Sequence, residues 1–103
     1  MIPDQDLQAL AQKIAERFHP QKIILFGSRA EGNPDAQSDV DLFVIQETDL
    51  PAPRRGLEIR EFLHPLPFPL DLLVFTPAEV AEQVGVRGTF INLVLRKGKV
   101  LYG

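Results

Sequence analysis

The 103 residues hold eleven Lys and Arg against fourteen Asp and Glu, a formal net charge of -3. That balance gives no electrostatic case for duplex DNA, long RNA or an anionic membrane as the main partner. Cysteine is absent, which excludes a disulfide framework and a thiolate metal site and leaves oxygen or imidazole as metal ligands. Length and even composition predict one domain over residues 1–103 with a modest core. The start MIPDQDLQAL lacks the basic and apolar pattern of a signal peptide, and no apolar stretch reaches the roughly 18 residues that span a bilayer. The expected location is the cytoplasm.

Leu7, Leu10, Ala11, Ile14 and Phe18 recur at helical spacing, with Asp4 and Asp6 at one end and Pro20 past the other, which predicts a first helix. Lys22 to Phe26 is a short apolar run rich in β-favouring residues and ends at Gly27, as a buried strand would. After the turn residues Asn33-Pro34-Asp35, the run Asp39 to Ile45 reads as a second strand, with Asp39 and Asp41 on one face and Val40, Leu42 and Val44 on the other. Pro-rich residues 50–53 lead to a helix over about residues 54–64, with Ile59, Phe62 and Leu63 inward and Gly56 as a weak point.

Pro65, Pro67 and Pro69 set an extended approach to a third strand, Leu70 to Phe75. Thr76 and Pro77 open a further helix as cap and first helical residue. A last helix over roughly Thr89 to Arg96 ends at Gly98, and Lys99 to Tyr102 forms a short edge strand. This order predicts a small α/β layer structure, a mixed sheet covered by helices.

Three places carry candidate chemistry. Gly27-Ser28 follows a buried strand, where a missing Cβ lets backbone approach a ligand and free N–H groups can meet phosphate oxygens. Taken alone, the dipeptide is more often a plain strand-to-helix turn. Asp39 and Asp41 place two carboxylates on one strand face, roughly 6 to 7 Å apart, close enough to share cations such as Mg²⁺. Solvating a sheet face rarely needs such paired like charges. Asp71 is an acid inside an apolar run, and an unpaired buried carboxylate would cost several kcal/mol. A cation shared with Asp39 and Asp41 would remove that cost, as would an exposed strand end or pairing with an arginine such as Arg29.

Gly27-Ser28, ten intervening residues, Asp39-x-Asp41 and a third strand acid at Asp71 together resemble the nucleotidyltransferase superfamily related to DNA polymerase β. The runs Phe26-Gly-Ser-Arg-Ala-Glu-Gly32 and Leu95-Arg-Lys-Gly-Lys-Val-Leu-Tyr102 look like the minimal nucleotidyltransferases of prokaryotes, over nearly the whole chain. The resemblance implies the nucleotidyltransferase fold, with Gly27 and Ser28 holding the triphosphate of ATP and Asp39 and Asp41 ligating two Mg²⁺ ions. It maps the third acid to Asp71, as ligand or as acceptor of the proton. It also implies a partner, a HEPN-domain toxin neutralised by this chain as antitoxin through AMP transfer to a tyrosine.

Two rivals stay open on the same residues: a module that binds nucleotide and neutralises its partner by contact alone, and a transferase acting on a small molecule or an RNA end. His19, at a helix end, and His64, in a Pro-rich loop, have no second histidine at ligand spacing and read as structural or solvated. Arg54, Arg55 and Arg60 read as a solvated helix face, and Tyr102 as packing.

Overall fold

A computed structural model describes residues 4–27, 40–66 and 69–103. Helix α1 spans Asp4–Phe18, and its Leu7, Leu10, Ala11 and Ile14 are buried as the helical spacing demands. It stops at His19, which takes a left-handed φ of 53° and donates its N–H to the Ala15 carbonyl at 3.0 Å. Strands β1 (Lys22–Phe26), β2 (Val40–Ile45), β3 (Leu70–Phe75) and β4 (Lys99–Tyr102) form one sheet in the order β3-β2-β1-β4. β1 runs antiparallel to both of its neighbours, whereas β2 and β3 are parallel.

A parallel pair needs a crossover, because a short hairpin cannot return the chain to the same end. Here the crossover holds a 3-10 turn, Ala52–Arg54, and helix α2, Leu57–Leu63. Beyond β3 come helices α3 (Pro77–Gln83) and α4 (Phe90–Lys97). Strand alternation then sorts side chains to two faces. Val40, Leu42 and Val44 join Ile23, Leu25, Leu70, Leu72 and Val74 against α1 and α2. Phe43, Ile45 and Ile24 lie on the other face against Ile91 and Val94 of α4, with Val80 of α3 and Phe75 alongside. The architecture is the expected α/β one, a small mixed sheet flanked by helices and ending in an edge strand.

Several local expectations change. The helix expected over residues 54–64 is two pieces, because Gly56 serves as N-cap of α2 after the 3-10 turn. A Cβ at Gly56 would meet Leu72 Cδ2 at 3.2 Å, so the break also lies where the chain packs closely on β3. Phe62 does not point inward: it is 38% exposed and lies edge-on to Phe18, ring centroids 5.6 Å apart. Arg55 and Arg60 are not simply solvated. Arg55 Nη1 meets Glu79 at 2.5 Å and its Nε donates to the Leu50 carbonyl, while Arg60 donates to the Leu70 carbonyl.

Thr89 caps α4 rather than starting it, accepting from the Asn92 N–H, and Thr76 and Glu79 form a reciprocal capping box on α3. Gly98 ends α4 as expected, but with φ -73° rather than a left-handed turn. Glycine is required there by space: a Cβ would sit 2.5 Å from the Val94 carbonyl oxygen and collide with the Ile24 side chain. Among the described residues no helix is long and apolar enough to cross a membrane.

Candidate functional site

The last residue of β1 and the early residues of β2 and β3 meet at one end of the sheet. Phe26 is the register partner of Asp41, and Asp41 is the register partner of Asp71. Register partners in a sheet point to the same face. Asp41 and Asp71 therefore stand side by side on the α4 face, on strands that parallel pairing holds about 4.8 Å apart. The ladder begins just before them, where the Val40 N–H donates to the Pro69 carbonyl at 3.1 Å. Asp41 is half-buried and Asp71 is exposed.

The turn after β1 closes on the same spot. Gly27 has φ +83°, and a Cβ built on it would lie 2.5 Å from Asp41 Oδ2 and 3.5 Å from Asp41 Cγ. An L side chain is disfavoured there twice over, by the left-handed backbone and by the carboxylate that occupies the space. Gly27 thus lets the end of β1 and the Asp41 carboxylate share one small volume. Of the five residues that the sequence singles out, the structure brings Gly27, Asp41 and Asp71 together. Ser28 and Asp39 lie outside the described residues, as does Arg29.

Next to Gly27 a cleft of about 160 Å³ opens between β1 and α4, lined by Phe26, Gly27, Phe90, Leu93, Val94, Lys97 and Gly98. Phe90 lies edge-on to Phe26, ring centroids 5.5 Å apart, and Phe43 stacks on Phe75 at 5.0 Å. The acid row is thus bordered by an aromatic floor. Sequence reasoning gave no part to Phe90 or Lys97, and no local signal could have, since α4 lies more than sixty positions after Gly27 and reaches it only by packing. His19 and His64 stay away from this end: His19 closes α1 and His64 closes α2.

As a donor set, two side-by-side carboxylates are hard oxygen ligands of the kind Mg²⁺ accepts, with the rest of its shell left to water and phosphate. Among the described residues no three Asp, Glu, His or Cys side chains stand close enough together to hold an ion. The arrangement fits a cation bound between two protein carboxylates and a ligand.

No curated protein matches the chain at a significant level. Solved structures share its fold, two of which illustrate the likeness. One is a Sulfolobus solfataricus protein described as a candidate nucleotidyltransferase, 17% identical, with a TM-score of 0.63 over 93% of this chain and 76% of that one. The other is a toxin–antitoxin structure with AMP-PNP, 24% identical, with a TM-score of 0.61 over 93% of this chain and 73% of that one. A family model described as nucleotidyltransferase domain matches residues 7–97, from α1 to the end of α4, and the chain belongs to that family.

Proposed function

We propose that the chain transfers a nucleotidyl group, AMP from ATP, to an acceptor hydroxyl, and that the acceptor is a tyrosine of a helical HEPN-type toxin, so that the chain acts as its antitoxin. The observation that carries this reading is the row of Asp41 and Asp71 in register on parallel strands, with Gly27 packed against the Asp41 carboxylate. Family membership supplies the reaction type. The similar fold found in a toxin–antitoxin structure with AMP-PNP supports a nucleotide substrate and a protein partner.

In this reading Gly27 and Ser28 offer N–H and hydroxyl donors to the triphosphate, at a turn that a Cβ would block. Asp39, Asp41 and Asp71 hold Mg²⁺, two ions when the triphosphate is bound. Bound there, the metal offsets phosphate charge and lowers the pKa of the attacking hydroxyl. The exposed Asp71 stands at the edge strand, where an incoming hydroxyl reaches it without displacing the core, and it ligates or takes up the acceptor proton. The hydroxyl oxygen bonds to the α-phosphorus, the bond to the bridging oxygen breaks, and pyrophosphate leaves.

The test uses labelled ATP, Mg²⁺ and the protein encoded in the adjacent reading frame. Wild-type chain adds AMP to that partner. Asp71→Asn, or Asp39→Asn with Asp41→Asn, lowers the rate at least about a thousandfold, which is about 4 kcal/mol in the barrier, with the melting temperature kept. Transfer that survives both changes ends the proposal. So does a partner that gains no mass from wild-type chain.

A further inference from the structure

Side-chain charge is divided along the chain. Residues 84–103 hold Arg87, Arg96, Lys97 and Lys99 and no Asp or Glu, whereas all fourteen carboxylates and the other seven cations come before them. The last twenty residues therefore carry +4 and the rest -7, which together give the chain's -3. The turn after α3 and helix α4 belong to this basic part.

That part is also apolar on its outside. Val84 and Val86 in the turn are 52% and 51% exposed, and Phe90 and Leu93 on α4 are 42% and 45% exposed, although Ile91 and Val94 on the inner side of α4 are buried. Residues three apart share a helix face, so Phe90, Leu93 and Arg96 follow one stripe. A groove of about 360 Å³ runs along it, lined by Phe90 and Leu93 with Arg87, Thr89, Asn92 and Arg96. Among the described residues neither the Arg87 nor the Arg96 guanidinium makes a hydrogen bond or ion pair, in contrast to Arg55 and Arg60, which are both engaged.

We propose that this groove docks an acidic amphipathic helix of a partner protein, its apolar stripe on Phe90 and Leu93 and its carboxylates on Arg87 and Arg96. Cations rimming exposed aliphatic and aromatic side chains match such a segment in both charge and hydrophobicity. A long polyanion fits poorly. The chain's net charge of -3 disfavours a nucleic acid or an anionic membrane as the main partner, and most of the exposed apolar surface is aliphatic and offers bases nothing to stack on.

Phe90 and Leu93 also line the cleft beside Gly27, so a helix seated in the groove stands next to the acid row. The inference deepens the proposed function and rests on its reading that the acceptor is a protein. Its test measures binding without nucleotide, so failure of docking and failure of transfer are separate results.

The probe is a fluorescein-labelled synthetic helix with Leu on one face and Glu on the other, titrated by anisotropy at physiological salt. Its controls are a Leu and Lys helix and a single-stranded RNA. The Leu and Glu helix binds saturably, and Arg87→Glu with Arg96→Glu weakens it at least about tenfold. Leu93→Ser weakens it as well, and that single exposed change keeps the test alive should the charge reversal disturb folding. Equal or tighter binding of either control overturns the proposal. So does the absence of saturable binding by wild-type chain, or binding that both variants leave unchanged.

Discussion

The two faces of the sheet are made from alternate residues of the same strands, yet they are closed to different degrees. Toward α1, Val40, Leu42, Val44, Leu70, Leu72 and Val74 are all buried. Toward α4, the same strands present a half-buried Asp41, an exposed Asp71 and a half-covered Leu73 before Phe43 and Phe75 close the surface. One face is dry and holds the fold together. The other is left open at the end where β1 finishes, and that is where the carboxylates stand. A four-stranded sheet can separate stability from chemistry in this way because the pleat sends neighbouring residues in opposite directions.

The sharpest way to break this contrast is inside the closed face. Ile14 is fully buried between α1 and the sheet, and Ile14→Ala lowers the unfolding free energy by about 2–5 kcal/mol in denaturant titration. Nucleotide affinity of the folded fraction stays as it was. A loss below about 1 kcal/mol, less than that range for a buried Ile, would mean that the α1 face is not the main support.

Gly27→Ala probes the open face. The left-handed backbone alone costs about 1–2 kcal/mol, and the new methyl pushes on the Asp41 carboxylate. Melting therefore drops modestly, while ATP binding, followed by calorimetry, falls by a larger factor. Stability and binding that fall in equal proportion would count against a ligand-facing role for the turn.

The smallest effect lies at the β3 edge, where Arg55, before α2, and Glu79, on α3, tie the layers of the two faces together. The Thr76 N–H donates to the Glu79 carboxylate at 2.8 Å, and with the Arg55 guanidinium it holds that carboxyl below its ordinary 4.5. A carboxyl lowered in the folded state adds stability above its unfolded value and loses it as pH falls through the folded one. Glu79→Gln therefore lowers the melting temperature slightly at neutral pH, and its gap from wild type narrows as pH falls below 4.5. A gap that widens in acid would refute the assignment. The effect is small because the Glu79 side chain is 37% exposed to screening water.

Much of this was legible in the residues themselves. The helical spacing of Leu7, Leu10, Ala11 and Ile14, the apolar run of β1 and the alternation of β2 are local signals, and each element formed where its signal lay. Thr76-Pro-Ala-Glu79 likewise announced its cap. Tertiary relations were hidden. Nothing near Arg55 points to Glu79, which lies 24 positions later, and the demand on Gly98 comes from Ile24, far back in the chain. Gly56 was visible as a flaw in a helix, but its use as the cap, packed close to Leu72, was not. At the site, the identity of Asp71 was readable and its register against Asp41 was not, because register depends on how the crossover through α2 lands.

That crossover has a bearing on the order of assembly. β1 and β2 are antiparallel neighbours, but β3 can join them only after the 3-10 turn and α2 have wrapped back across the sheet. Asp41 and Asp71 are thirty positions apart, and closing so long a loop is entropically slower than forming local contacts. A nascent chain that has folded as far as β2 carries only Asp41 of the pair, so the row of two carboxylates is incomplete until β3 is in place. In the proposed role, competence to modify a partner would wait for β3 to dock beside β2, and fraying of that edge strand would switch it off before the interior melts.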